Sequence, residues 1–231
     1  NAVRWLNEEI RRHPSHGSWF WPSNTATSFG AMGTAHAANL LGLKDDTELF
    51  GGYPDNKGVL IASADRMVER QEKDGAMPFD LPEPPIGQGQ FMTTSNGLVA
   101  ITRAAAHSDD PAYDQSIERA LGWIASNEPE TTQDKIYKII SLMHYGTPDQ
   151  KRASWSVVET LAAEQQPDGG WKENDAADGS SAFSTGQVLY AFKQAGISIH
   201  GEMFRRGVDF LLKHQVNDPK DLNNGTWPAM K

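Results

Sequence analysis

The sequence contains no cysteine, which excludes disulfides, thiolate zinc sites and c-type haem attachment within it. No apolar run approaches the roughly 20 residues needed to cross a bilayer, so no transmembrane segment is predicted. Basic charge is in deficit, with 21 Lys and Arg against 30 Asp and Glu and a net charge of -9. A nucleic-acid partner needs a basic face and is therefore not expected. No sustained alternation of apolar and polar residues marks a strand. Nucleophile elbows, phosphate-cradling glycine loops and HExxH pairs are also missing, and no cofactor is expected.

What the sequence does hold is a packable composition and a repeat. Of its 231 residues, 38% are hydrophobic and 22% charged, as in a globular body. "VERQEKDGAMPF" carries Gln71, Asp74 and Gly75, then Met77 and Phe79. "AAEQQPDGGWKE" carries Gln165, Gln166, Asp168, Gly170 and Trp171, with Gln166 as the repeat glutamine. "HQVNDPKDLNNGTWPAM" stretches the loop between Gln215 and Trp227, and "RRHPSHGSWFWP" has Gly17 and Trp19 without a glutamine. Gln165 and Gln215 lie 50 residues apart, while Gln71 and Gln165 lie 94 apart, with an eroded copy at "ALGWIASNEPE" between them. Self-similarity at this period signals a repeat architecture.

Each copy follows an amphipathic helical pattern, clearest in "FRRGVDFLLKHQ", where Phe204, Val208, Leu211 and Leu212 share one face. Each copy precedes a second pattern rich in Ala, Gly and Ser and opening on Ser or Thr. These are residues 25–42, 93–107, 131–146 and 180–196. The first set reads as outer helices facing water and the second as close-packed inner helices capped by Ser or Thr. Glycine past the outer helix supplies a left-handed turn, the glutamine amide satisfies nearby backbone groups, and the tryptophan fills the gap to the next hairpin. The expected fold is all-α, a single domain over 1–231 built from repeated outer and inner helical hairpins.

Glutamine, a short Asp- and Gly-containing turn and tryptophan, recurring between outer and inner helices, resemble the QW repeats of the squalene–hopene and oxidosqualene cyclase family. The resemblance covers nearly the whole chain and implies an α/α toroid, two concentric helix layers around a central cavity. It implies inner-helix aromatics and a histidine lining that cavity: Phe29, His36, Tyr137, Phe183 and Tyr190. Trp19, Gln71, Gln166, Trp171, Gln215 and Trp227 would be its structural repeat positions. Similar bacterial proteins carry such repeats as one module of a larger exported protein, which implies a structural or assembly role.

Catalysis is less well supported. Cyclases of this family protonate an alkene with a DxDD motif, a carboxylic acid kept protonated beside another carboxylate in a dry pocket. Here the corresponding inner-helix start reads "SAFST", residues 181–185, without an acid. Asp175 and Asp178 lie nearby at the wrong spacing in a Gly-flanked loop and are the weak catalytic candidates. The other inner-helix starts hold one carboxylate, Asp134. The pairs Asp45–Asp46 and Asp109–Asp110 suit turns and caps. The seven histidines form no helical ligand pair, and no metal site is predicted.

The leading expectation is therefore an apolar-ligand-binding or assembly module. The alternatives are a cyclase whose acid lies outside this segment and a carbohydrate-active α/α-barrel hydrolase or lyase using carboxylates at its mouth. The irregular connections 44–58 and 79–92, the second rich in Pro and Gly, are predicted to be non-helical contact regions. The final copy has no inner helix after it. Another domain or chain is accordingly expected to cover the C-terminal end.

Overall fold

The computed structural model describes residues 56–79 and 89–228. Trp19, Phe29, His36, Asp45 and Asp46, together with the first inner-helix pattern, lie outside the described residues. Among the described residues the chain is all-α, as expected, with seven helices and one isolated β-bridge between Trp171 and Ser181. It divides into two compact units, residues 1–127 and 128–231.

The first unit contains α1 (Asn56–Arg70), α2 (Gln90–Ala105) and α3 (Pro111–Ser126), and α2 packs against both others. Eleven of the 16 residues of α2 are buried, including Thr93, Thr94, Ser95 and Asn96. A Cβ at Gly97 would stand 2.9 Å from Met77 and 3.0 Å from Met67, so glycine there admits the close approach of two core methionines. Residues 90–92 belong to α2, with Phe91 and Met92 buried. The helix thus begins inside the Pro- and Gly-rich connection, because burying Phe91 against Trp123, with ring centroids 4.9 Å apart, outweighs its weak local start.

α3 begins where Asp110 accepts from the amide of Ala112 with Pro111 at the first helical position, so Asp110 is a cap. The Tyr113 hydroxyl donates to Asp65 at 2.5 Å. Burial first, and that bond to Asp65 second, push its pKa well above the usual tyrosine range.

The second unit contains α4 (Thr132–Tyr145), α5 (Pro148–Ala163), α6 (Ala182–Gln194) and α7 (Glu202–His214). α4 packs against α5 and α6, and α6 packs against α7. Capping boxes start α4 through Thr131 and Asp134, and α5 through Thr147 and Gln150, while Ser181 caps α6. Ile136, Ile139, Leu161, Trp171, Val188 and Phe192 form the core. The two helix characters read from the sequence persist. Eight of 14 residues are buried in α4 and six of 13 in α6, against three of 16 in α5 and two of 13 in α7. Among the described residues no helix is long and apolar enough to cross a membrane.

Candidate functional site

The feature that organises both units is a corner built three times. In each, one glutamine sits just past a helix end and donates from Nε2 to the carbonyl of a left-handed glycine. Gln71 bonds Gly75, Gln165 bonds Gly169 and Gln215 bonds Gly225, at 2.9, 2.9 and 2.7 Å. The three glycines have φ of 103°, 94° and 84°, a region that only glycine occupies freely. In each the next residue's amide closes the turn by donating across it. Glu72 N–H donates to Ala76 O, Gln166 N–H to Gly170 O, and Val216 N–H to Thr226 O.

The bulky residue after each glycine takes up a fixed position. Trp171 Nε1 donates to Leu161 O and Trp227 Nε1 to Leu211 O, both at 2.7 Å, and each carbonyl lies four residues before the corner glutamine. The tryptophan, rather than the glutamine, therefore satisfies an otherwise open carbonyl in the last helical turn. Met77 holds the same place in the first corner. Its amide donates to Thr94 Oγ1, as that of Trp171 donates to Thr185 Oγ1. The repeat glutamine of the second copy is Gln165. Gln166 instead donates to Glu164 O, because one residue of helical rotation turns its side chain away from Gly169.

Two corners are covered by the second helix after them, α3 on the first and α7 on the second. Gln71 Nε2 also donates to Ser116 O, and Gln165 Nε2 to Met203 O, both at 2.9 Å. A Cβ at Gly75 would stand 2.3 Å from Arg119 O, and one at Gly169 would stand 2.5 Å from Arg206 O. The same arginines reach back: Arg119 donates to Gln71 Oε1, and Arg206 to Gln166 O and Pro167 O. A small residue, Ala120 or Gly207, follows each arginine. Removing the amide donor by Gln71→Glu is expected to lower stability by about 1–2 kcal/mol, since Gly75 O and Ser116 O lose their partner. Urea unfolding measures this. A loss equal to experimental error would mean that the corner holds nothing together.

Among the described residues, none covers the third corner. A Cβ at Gly225 would meet nothing within 4 Å, Gln215 Nε2 has Gly225 O as its acceptor, and Trp227 is 42% exposed. Beside it lies an apolar recess of about 500 Å³, lined by Phe183, Gly186, Leu211, Trp227 and Pro228 among others. That volume falls within the range of small-ligand pockets.

Of the aromatics expected around one cavity, Phe183 lines this recess, Tyr137 is half-buried on α4 and Tyr190 is 54% exposed on α6. Burial pushes the Tyr137 hydroxyl up in pKa. Asp175 and Asp178 are exposed, and Asp175 borders a polar recess of about 50 Å³ with Glu130, Lys135 and Glu164. Lys135 and Glu164 are paired there at 2.5 Å. Asp134 is buried but bonded into its capping box, accepting from the amide of Thr131 at 3.0 Å. Among the described residues no cluster of three or more His, Asp or Glu could hold a metal ion.

Sequence reasoning missed the arginine–small pairs Arg119–Ala120 and Arg206–Gly207, which a search of the outer helices for that dipeptide would have found. It also missed Lys138, buried on α4, whose pKa burial lowers against the opposing pull of Glu128. No family model and no curated protein matches the chain.

Proposed function

We propose that this chain is a squalene-cyclase-like repeat module that binds, through the recess beside Trp227, an apolar ligand or partner. In this reading α1, α3, α5 and α7 form the outer layer and α2, α4 and α6 the inner layer of an α/α toroid. The observation that carries the reading is the contrast between corners built alike: two are filled, while among the described residues the third keeps its glutamine, glycine and bulky residue, Trp227, beside an apolar hollow. The carboxylates support binding over catalysis. An acid able to protonate an alkene must be held dry, and Asp175 and Asp178 face water.

The test is a titration with the apolar dye 1-anilinonaphthalene-8-sulfonate, alongside incubation with squalene. One saturable dye site is expected, weakened about tenfold or more by Trp227→Ala, with squalene recovered unchanged. Formation of a cyclised hydrocarbon would overturn this in favour of a cyclase. Cleavage of a polysaccharide that Asp175→Asn or Asp178→Asn abolishes would favour a carbohydrate-active enzyme.

A further inference from the structure

We infer that the natural occupant of the Gln215–Gly225–Trp227 corner is an α-helix of a partner polypeptide, seated as α3 and α7 are seated on the other two corners. This deepens the binding role proposed above and rests on it. The filled corners specify what fits. Each receives a helix whose backbone carbonyl accepts from the glutamine Nε2, Ser116 in one case and Met203 in the other. Three residues later comes an arginine whose own carbonyl lies over the left-handed glycine, and then a small residue.

The role of the small residue is visible at Gly207. A Cβ there would stand 3.1 Å from the Trp171 ring and 2.9 Å from Leu189, so the absent side chain is what lets α7 lie against the indole. Ala120, fully buried, holds the matching position on α3. The partner helix should therefore carry Arg followed by Gly or Ala, with apolar residues on the same face for the recess of Phe183 and Leu211. Trp227 supplies the exposed indole, and the Gln215 amide, which gives one Nε2 hydrogen to Gly225 O, carries a second for a helix carbonyl.

A second copy of this chain fits less well. The carbonyls of Ser116 and Met203 already accept from Gln71 and Gln165. α5 does expose an Arg152–Ala153 pair, but Arg152 is paired with Asp149, the residue whose carbonyl would have to face Gln215.

The chain supplies its own probe. A labelled peptide of residues 197–216 contains α7 with Met203, Arg206 and Gly207 and has no tryptophan. Added to the full chain, it is expected to bind with a dissociation constant on the order of 10–100 μM by fluorescence anisotropy. Gly225→Asn is the decisive variant. Asparagine tolerates the left-handed region, and its Cβ meets nothing within 4 Å among the described residues, so the melting temperature should hold within a few degrees. Against an incoming helix that Cβ would strike a carbonyl, as at Gly169, and binding should fall at least about tenfold.

Gln215→Ala should weaken the same complex, and a peptide with Gly207→Val should not bind. No peptide binding, or binding indifferent to Gly225→Asn, overturns the helix as occupant. If the dye still binds at Trp227, the apolar-binding role stands without it, and if neither binds, both fall. Concentration-dependent dimerisation lost on Arg152→Glu would place a second copy in the recess and also overturn the proposal.

Discussion

Gly169→Ala is expected to lower the stability of the second unit by about 3–5 kcal/mol, far more than alanine costs at an ordinary turn. Two effects add. At φ 94° a Cβ strains the backbone by roughly 1–2 kcal/mol. That same Cβ stands 2.5 Å from Arg206 O, backbone of a packed helix that cannot yield like a flexible side chain. α7 must retreat, stretching the bond from Gln165 to Met203 O and those from Arg206 to Gln166 O and Pro167 O, each of net worth about 1 kcal/mol. Gly225→Ala provides the comparison. It carries the same strain at φ 84° with nothing to strike among the described residues, so about 1–2 kcal/mol is expected. Scanning calorimetry of both variants measures the difference, which reports the helix that the described residues place on one corner and not on the other. Equal losses would show that Gly169 is needed for backbone conformation alone, and the equivalence of the corners would lose its energetic support.

That contrast also shows how much of the molecule was legible in its sequence. Helices were readable because apolar periodicity and Ser or Thr caps act locally: 131–146 anticipates Thr132–Tyr145, and 180–196 anticipates Ala182–Gln194. Corners were readable because glutamine, glycine and a bulky residue recur in the same order, even where the loop is stretched between Gln215 and Gly225. Their register was not. Gln165 and Gln166 are alike as letters, and only the direction of a side chain past the helix end separates the one that reaches Gly169 from the one that turns back to Glu164. The site was least legible. Whether a corner is filled depends on a helix some 40 residues further on, as Ser116 O and Met203 O show, and no local pattern encodes that distance. Trp171 and Trp227 hold the same place in the repeat, two residues after its left-handed glycine, yet one is fully buried and the other 42% exposed.

Those two tryptophans should therefore respond differently to the same mutation. Trp171→Ala removes a ring with no exposed surface, edge-on to Phe192 at a centroid distance of 5.8 Å and pressed against the backbone of Gly207. A cavity of indole size among α5, α6 and α7 cannot close, because the rest of their shared core holds these helices apart, so about 3–5 kcal/mol is expected. Trp171→Phe separates the parts of that cost. It keeps most of the packing but strips the donor from Leu161 O, for about 1–2 kcal/mol. Trp227→Ala gives up a half-solvated ring with the same bond to Leu211 O, and about 1 kcal/mol is expected. Equilibrium urea unfolding of the three variants orders them. A Trp227→Ala variant as damaged as Trp171→Ala would mean that the third corner is already filled in solution. Addition of the 197–216 peptide should then raise the midpoint of the unsubstituted chain but not that of Trp227→Ala, since a helix that binds only the native corner stabilises it by mass action.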